Sequence, residues 1–87
     1  IYFSGISTEN GISYNVVVNS ALDKAANVYT AVYDSNGKLV SADVANISAG
    51  TTGIIPVAAS GAVIPAGGYA KLFVWTEMTP VLTTTVR

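Results

Sequence analysis

The stretch ANVYTAVYDSNGKLVSADVANI, residues 26–47, decides the fold. Its first third is dense in β-branched and aromatic side chains (Val28, Tyr29, Thr30, Val32, Tyr33), the types that fit a pleated, half-buried surface. Asp34-Ser35-Asn36-Gly37 then breaks the run. Asp and Asn bond to nearby backbone, and Gly accepts a positive φ, so these four residues suit a tight hairpin turn. Beyond the turn, Val40, Ala42 and Val44 alternate with Ser41 and Asp43 at the period of two that marks a half-buried strand, with the apolar set expected inward.

Working outward in both directions, the same grammar repeats. Short runs of β-branched and aromatic residues recur between Gly, Asn, Asp and Pro at fairly regular spacing, and helical periodicity is missing. Seven strands are expected, at 1–6, 12–19, 26–34, 38–47, 51–58, 69–76 and 81–86. That count is the one found in an immunoglobulin or fibronectin-III sandwich, so the predicted fold is an all-β, seven-stranded immunoglobulin-like β-sandwich. Asn10-Gly11 is a second site for positive φ, and Pro56 removes a ladder donor and so argues for an edge position. Residues 21–26 are too few for more than a turn or one helical coil.

In the second strand Tyr14, Val16 and Val18 share one face, and Ser13 and Asn15 share the other. The sixth strand is less one-sided. Ala70, Leu72 and Val74 lie on one face, with Tyr69, Lys71, Phe73 and Trp75 on the other. Lys71 marks that second face as at least partly open to water, because an unpaired lysine is almost never fully buried.

Composition narrows the class. A chain of 87 residues buries only roughly 60–65% of its unfolded surface and cannot divide it between two cores, so residues 1–87 are read as a single module. Only 10% of the residues are charged, against about a quarter in ordinary soluble domains, and 51% are apolar. Ser, Thr, Asn and Gly must therefore cover the surface, and some of it is expected to meet a neighbour or a ligand. The cations Lys24, Lys38, Lys71 and Arg87 are scattered, and the net charge is −1, so nucleic acid is not an expected partner. Without cysteine, stability must come from packing. The densest apolar run, 54–59, contains Pro56 and is far shorter than the roughly 20 residues of a membrane-spanning helix, so no membrane insertion is expected. The chain starts at Ile1 with no basic-then-apolar leader, and excision from a larger multimodular protein is the expected origin.

Three segments together carry a family resemblance. They are Ala31-Val32-Tyr33-Asp34-Ser35-Asn36-Gly37-Lys38-Leu39-Val40-Ser41 with Gly50-Thr51-Thr52, then Lys71-Leu72-Phe73-Val74-Trp75, then Met78-Thr79-Pro80-Val81. In that order they resemble the recurrent immunoglobulin/fibronectin-III-like accessory module of secreted multimodular Gram-positive bacterial proteins. The resemblance covers about three quarters of the chain. It implies a non-catalytic spacer or docking module of the kind appended to glycoside hydrolases, cell-wall proteins and S-layer proteins, secreted or at the cell surface and polysaccharide-associated. Its partners would be neighbouring modules of the same polypeptide or assembly, with polysaccharide as a further partner. The segment from Trp75 to Pro80 is shorter than the equivalent loop in such modules, and the chain runs on through Leu82 to Arg87.

Constellations that could carry chemistry are few. The sequence has no histidine and no cysteine, which excludes Ser-His-Asp, Cys-His and ordinary zinc sites. A glycosidase-type carboxylate pair would have to come from Glu9, Asp23, Asp34, Asp43 and Glu77, several of which sit in or beside turns for backbone reasons. Asp34-Ser35-Asn36-Gly37 begins like a calcium loop but lacks the later ligands, so Asp34 and Gly37 are read as structural turn residues. Asn46-Ile47-Ser48 matches a glycosylation sequon that a bacterial origin leaves unused. No cofactor, metal or catalytic residue is expected. Tyr69, after the Pro65-Ala66-Gly67-Gly68 turn, stands where sandwiches often place a tyrosine tied back to the corner backbone. Trp75 and Phe73, with Tyr33 and Tyr29 beside them if the third and sixth strands pair, have three open readings: core, partner contact or a platform for sugar rings. The leading expectation is a structural or interaction module; the alternative is a carbohydrate-binding module using those aromatics on an outer sheet face.

Overall fold

A computed structural model describes residues 1–77 and 79–87; Met78, part of the closing motif above, lies outside the described residues. The strands are β1 (Tyr2–Ser7), β2 (Ile12–Val18), β3 (Ala26–Tyr33), β4 (Leu39–Ile47), β5 (Gly53–Ala59), β6 (Tyr69–Thr76) and β7 (Thr79–Val86). They form two antiparallel sheets, ordered β1-β2-β5 and β4-β3-β6-β7, packed as an immunoglobulin-like β-sandwich. Among the described residues no helix is long and apolar enough to cross a membrane.

The hairpin turn sets the topology. Gly37 N–H donates to the Asp34 carbonyl at 3.0 Å, Asp34 N–H donates to the Lys38 carbonyl at 2.9 Å, and Gly37 sits at φ 79°. A turn this tight leaves β4 no choice but to pair with β3. The fourth strand therefore joins the sheet of the sixth and seventh strands, whereas constant-type immunoglobulin domains place it beside the fifth. Pro56 lies on β5, an edge strand, as its missing N–H requires. β7 begins two residues before the expected start, with Thr79 opposite Thr76 and Pro80 opposite Trp75. An edge strand tolerates Pro80 for the same reason it tolerates Pro56.

The core lies between the sheets. Ile12, Tyr14, Val16 and Val18 of β2 face Val28 and Val32 of β3 and Ala70, Leu72 and Val74 of β6, and all of them are buried. The expected inward faces of β2 and β6 are the observed ones. β4 is reversed: Val40 and Val44 are 55% and 59% exposed, and Ala42 is exposed too. Ala45 and Ile47 supply its inward apolar contacts instead. The register explains the reversal, since Val44 lies opposite Tyr29 and Ala42 opposite Ala31, both on the outward face of β3. A β-bulge between Val32 and Tyr33 shifts the pairing at the hairpin end.

Two local features hold this arrangement. Gly11 has φ 97°, and a Cβ there would stand 2.6 Å from the Ala59 carbonyl oxygen and 2.8 Å from Ser60 Cα. Only glycine satisfies both the left-handed backbone and this close approach to the end of β5. Gly11→Ala is expected to lower unfolding free energy by about 3 kcal/mol, combining backbone strain with overpacking. Gly50→Ala, at φ 82° with nothing within 4 Å, should lose only about 1 kcal/mol. Urea denaturation of the two variants measures the difference, and equal losses would refute the close-approach argument.

The second feature is polar. Tyr14 Oη and Thr30 Oγ1 lie 2.7 Å apart in a buried hydrogen bond between the two sheets, and the Tyr14 ring also takes Phe3 edge-on at 5.5 Å. Burial pushes the Tyr14 phenol above its ordinary value of 10.0; the Thr30 hydrogen bond pulls it down, and the negative charge of Asp43 pushes it up. A raised folded-state value means that the unfolded chain ionises first. The stabilisation is complete below about pH 10 and is lost as pH rises above it. Tyr14→Phe should destabilise the fold by about 1–3 kcal/mol at pH 7, because Thr30 is left buried and unpaired. Adding Thr30→Val should recover most of that loss. Unfolding free energies measured from pH 9 to 11.5 should fall less steeply in Tyr14→Phe than in the parent chain; an unchanged slope would remove Tyr14 as the titrating group.

Candidate functional site

The outward face of the four-stranded sheet gathers the aromatic residues into rows fixed by strand register. One row runs Val44, Tyr29, Phe73, Thr83. The next runs Ala42, Ala31, Lys71, Thr85. Leu39, Tyr33 and Tyr69 form a third, and Asn46, Asn27, Trp75 and Pro80 a fourth. β3 does pair with β6, so Tyr29, Tyr33, Phe73 and Trp75 share one surface. All four are half-buried and stand outside the buried core cluster.

Ring geometry orders the surface. The Tyr29 and Phe73 centroids are 5.2 Å apart at 31°, and those of Tyr33 and Tyr69 are 5.1 Å apart at 17°. Each offset pair contributes about 0.5–1.5 kcal/mol beyond its buried area. Lys71 Nζ stands 5.9 Å from the centre of the Tyr33 ring, and the Arg87 guanidinium 5.6 Å from that of Tyr69, within cation–π range. Ala31 beneath this group is buried despite facing outward. Its small side chain leaves room for the larger rings around it.

Tyr33, Lys71, Phe73, Trp75, Pro80 and Thr83 together line an open depression of about 330 Å³. That is the lower end of the roughly 300–1,000 Å³ typical of small-molecule sites. A larger depression of about 420 Å³ lies over Ala25, Asn27, Asn46, Ser48 and Glu77, and another lies over Leu22, Lys24, Thr76 and Val81. Neither contains an aromatic ring. The cation beside them, Lys24, is already paired with Glu77 at 3.3 Å. The aromatic depression is the one with both a stacking surface and a cation that has no carboxylate partner among the described residues.

The remaining predicted residues have local roles. Asp34 Oδ1 accepts hydrogen bonds from Asn36 N–H at 2.9 Å and Lys38 N–H at 3.0 Å, which ties the side chain into its own turn. Tyr69 stacks on Tyr33, and no hydrogen bond from its hydroxyl to the corner backbone is found among the described residues. Its hydroxyl lies 3.7 Å from where a Gly37 Cβ would be, so the tyrosine borders the hairpin turn. Asn46 of the sequon is within β4. No group of three or more acidic, His or Cys side chains able to hold a metal is found among the described residues. Two parts of the face escaped sequence reasoning: the apolar margin of Leu39, Val40 and Val44, and Pro80 beside Trp75. The first was hidden by the reversed face of β4, and only the β6–β7 register gives the second.

Comparison with protein-family models, curated proteins and solved structures gave no match.

Trp75 is the one tryptophan in the chain, so its fluorescence reports this face alone. Half-buried on an outer sheet face, it should be quenched by acrylamide in the folded protein, at an emission maximum between those of buried and free indole. A blue-shifted signal that resists the quencher would place the indole in the core and remove the depression as a site.

Proposed function

We propose that the chain is a non-catalytic contact module of a secreted or cell-surface bacterial protein, akin to the accessory modules its motifs resemble. In this reading it spaces or docks neighbouring modules, and the outward face of the four-stranded sheet is its working surface. One observation carries the proposal. The core is filled by β-branched, leucine, alanine and tyrosine side chains without Phe73, Trp75, Tyr29, Tyr33 or Val44, yet these five lie together on the outward face of the four-stranded sheet. A continuous apolar surface of this kind on a small domain marks a place where something else is covered. Of the acids, Glu9, Asp23 and Glu77 lie in loops, Asp34 in the hairpin turn and Asp43 on β4.

A second reading has its own support. Sugar rings present apolar C–H faces that stack on electron-rich aromatic rings. Trp75 and Phe73 border the depression with Tyr33, and hydroxyl and ammonium groups from Thr83 and Lys71 stand at its margin. On this reading the same surface is a carbohydrate platform.

Joined to its native neighbours, the domain should melt at a higher temperature than alone, by roughly 4–8 °C for each kcal/mol of contact energy. Identical melting and independent tumbling would rule out docking. In affinity electrophoresis a polysaccharide ligand should retard the domain, and Trp75→Ala should abolish retardation while changing unfolding free energy by less than about 1.5 kcal/mol, the indole being outside the core. No retardation on any glucan, xylan, mannan or uronate polymer would leave docking as the sole reading.

A further inference from the structure

The chain is acidic overall, at −1, but its contact face is not. Strand side chains on the outward face of the four-stranded sheet include Lys71 and no carboxylate, Arg87 lies over Tyr69, and Glu77, which borders the Asn27–Asn46 end, is paired with Lys24. All five acids are elsewhere, in loops, in the hairpin turn, or, for Asp43, across from Thr30 on the inward side of β4. The only ion pair among the described residues joins Lys24 to Glu77, so Lys71 brings an exposed cation with no carboxylate partner into the middle of an aromatic surface.

That position constrains the ligand. A ligand chain that runs from Trp75 over Phe73 reaches Lys71 next, about 7 Å further along the same strand face. Removing an ammonium from water without a counter-charge is strongly unfavourable, so a neutral occupant is penalised where an anionic one is favoured. The anion must also present an apolar face for the rings. A pyranose uronate meets both conditions in one residue: its C–H face stacks on Trp75 or Phe73, and its C5 carboxylate projects from the ring edge toward the neighbouring position. The depression between Tyr33, Phe73, Trp75 and Pro80 is open, so it admits a ring within a longer chain.

We infer that the depression binds an acidic polysaccharide through a uronate residue stacked on Phe73, with its carboxylate hydrogen-bonded to Lys71 Nζ and an adjoining sugar of the same chain on Trp75. This rests on the carbohydrate reading of the face and adds the charge of the sugar. Charge-assisted hydrogen bonds contribute about 1.5–3 kcal/mol, equivalent to at least about a tenfold preference over the uncharged ester.

The test is a titration followed by Trp75 fluorescence, using oligomers of galacturonate, glucuronate and mannuronate, each as the free acid and as the methyl ester. One free acid should bind at least about tenfold tighter than its own ester. Lys71→Gln should abolish that preference while keeping ester affinity within about twofold, and raising salt should weaken only the acid form. Trp75→Phe, read by isothermal calorimetry, should weaken both forms. Equal affinity for acid and ester would overturn the acidic specificity and leave the carbohydrate reading intact. An acid preference that survives Lys71→Gln would place the anion elsewhere and overturn the site. Absence of binding by every acid, ester and neutral glucan, xylan or mannan would overturn both.

Discussion

The two sheets of this chain meet without a disulfide, and everything on their outer surfaces depends on how the inner faces register. Apolar side chains fill most of that layer, but apolar contact alone is forgiving: a strand displaced by two residues still presents an apolar face. The Tyr14–Thr30 hydrogen bond is not forgiving. A two-residue slip of β2 or β3 would separate the partners and leave two buried hydroxyls unsatisfied, at about 1–3 kcal/mol each. Phe3, edge-on to the Tyr14 ring, extends the same constraint to β1. The polar pair therefore selects one register among several that hydrophobic burial would accept.

Once that register is set, the outward aromatic face follows from it. β3 and β6 are the central strands of their sheet, and successive side chains of each point alternately to the inner and the outer face. Placing Thr30 opposite Leu72 inside puts Tyr29 opposite Phe73 and Tyr33 opposite Tyr69 outside. The aromatic pairs stack because the backbone ladder holds their Cβ atoms at cross-strand distance. Stacking returns some stability to the ladder, so the same two strands define the core on one side and a preorganised surface on the other. A surface built on central strands loses little conformational freedom when covered, which favours binding over a comparable loop surface.

Most of the fold could be read from the sequence because its signals are local. The positive φ at Asn10, Gly11 and Gly37, the edge position of Pro56 and the limits of β6 all follow from residue chemistry within a few positions. β4 shows where local reading stops. Alternation of Val40, Ala42 and Val44 with Ser41 and Asp43 establishes two faces but not which one points inward. That depends on the hairpin bulge and on the aromatics across the ladder, both properties of the paired sheet. The same limit applies to the site. Sequence names Trp75, Phe73, Tyr33 and Tyr29 as candidates, but their separation from the core and the place of Pro80 and Thr83 beside them require the β3–β6 and β6–β7 registers. Tyr69 illustrates the converse: a position that fits a corner tyrosine is occupied by a ring stacked on Tyr33.

A chain with so few charges has to place them where they prevent unwanted pairing. Asp43 is on β4, an edge strand, on the side that faces the other sheet and beside Val57, Ala58 and Ala59 of β5, also an edge. A carboxylate there disfavours a further strand from sealing the gap, because the charge would be buried without a partner. Lys71 acts in the same way on the aromatic face. Two copies meeting face to face would bring Lys71 against Lys71 in a poorly hydrated layer, where like charges repel strongly. With so few charges elsewhere, the positive sign of Lys71 stands on this face without a carboxylate partner among the described residues.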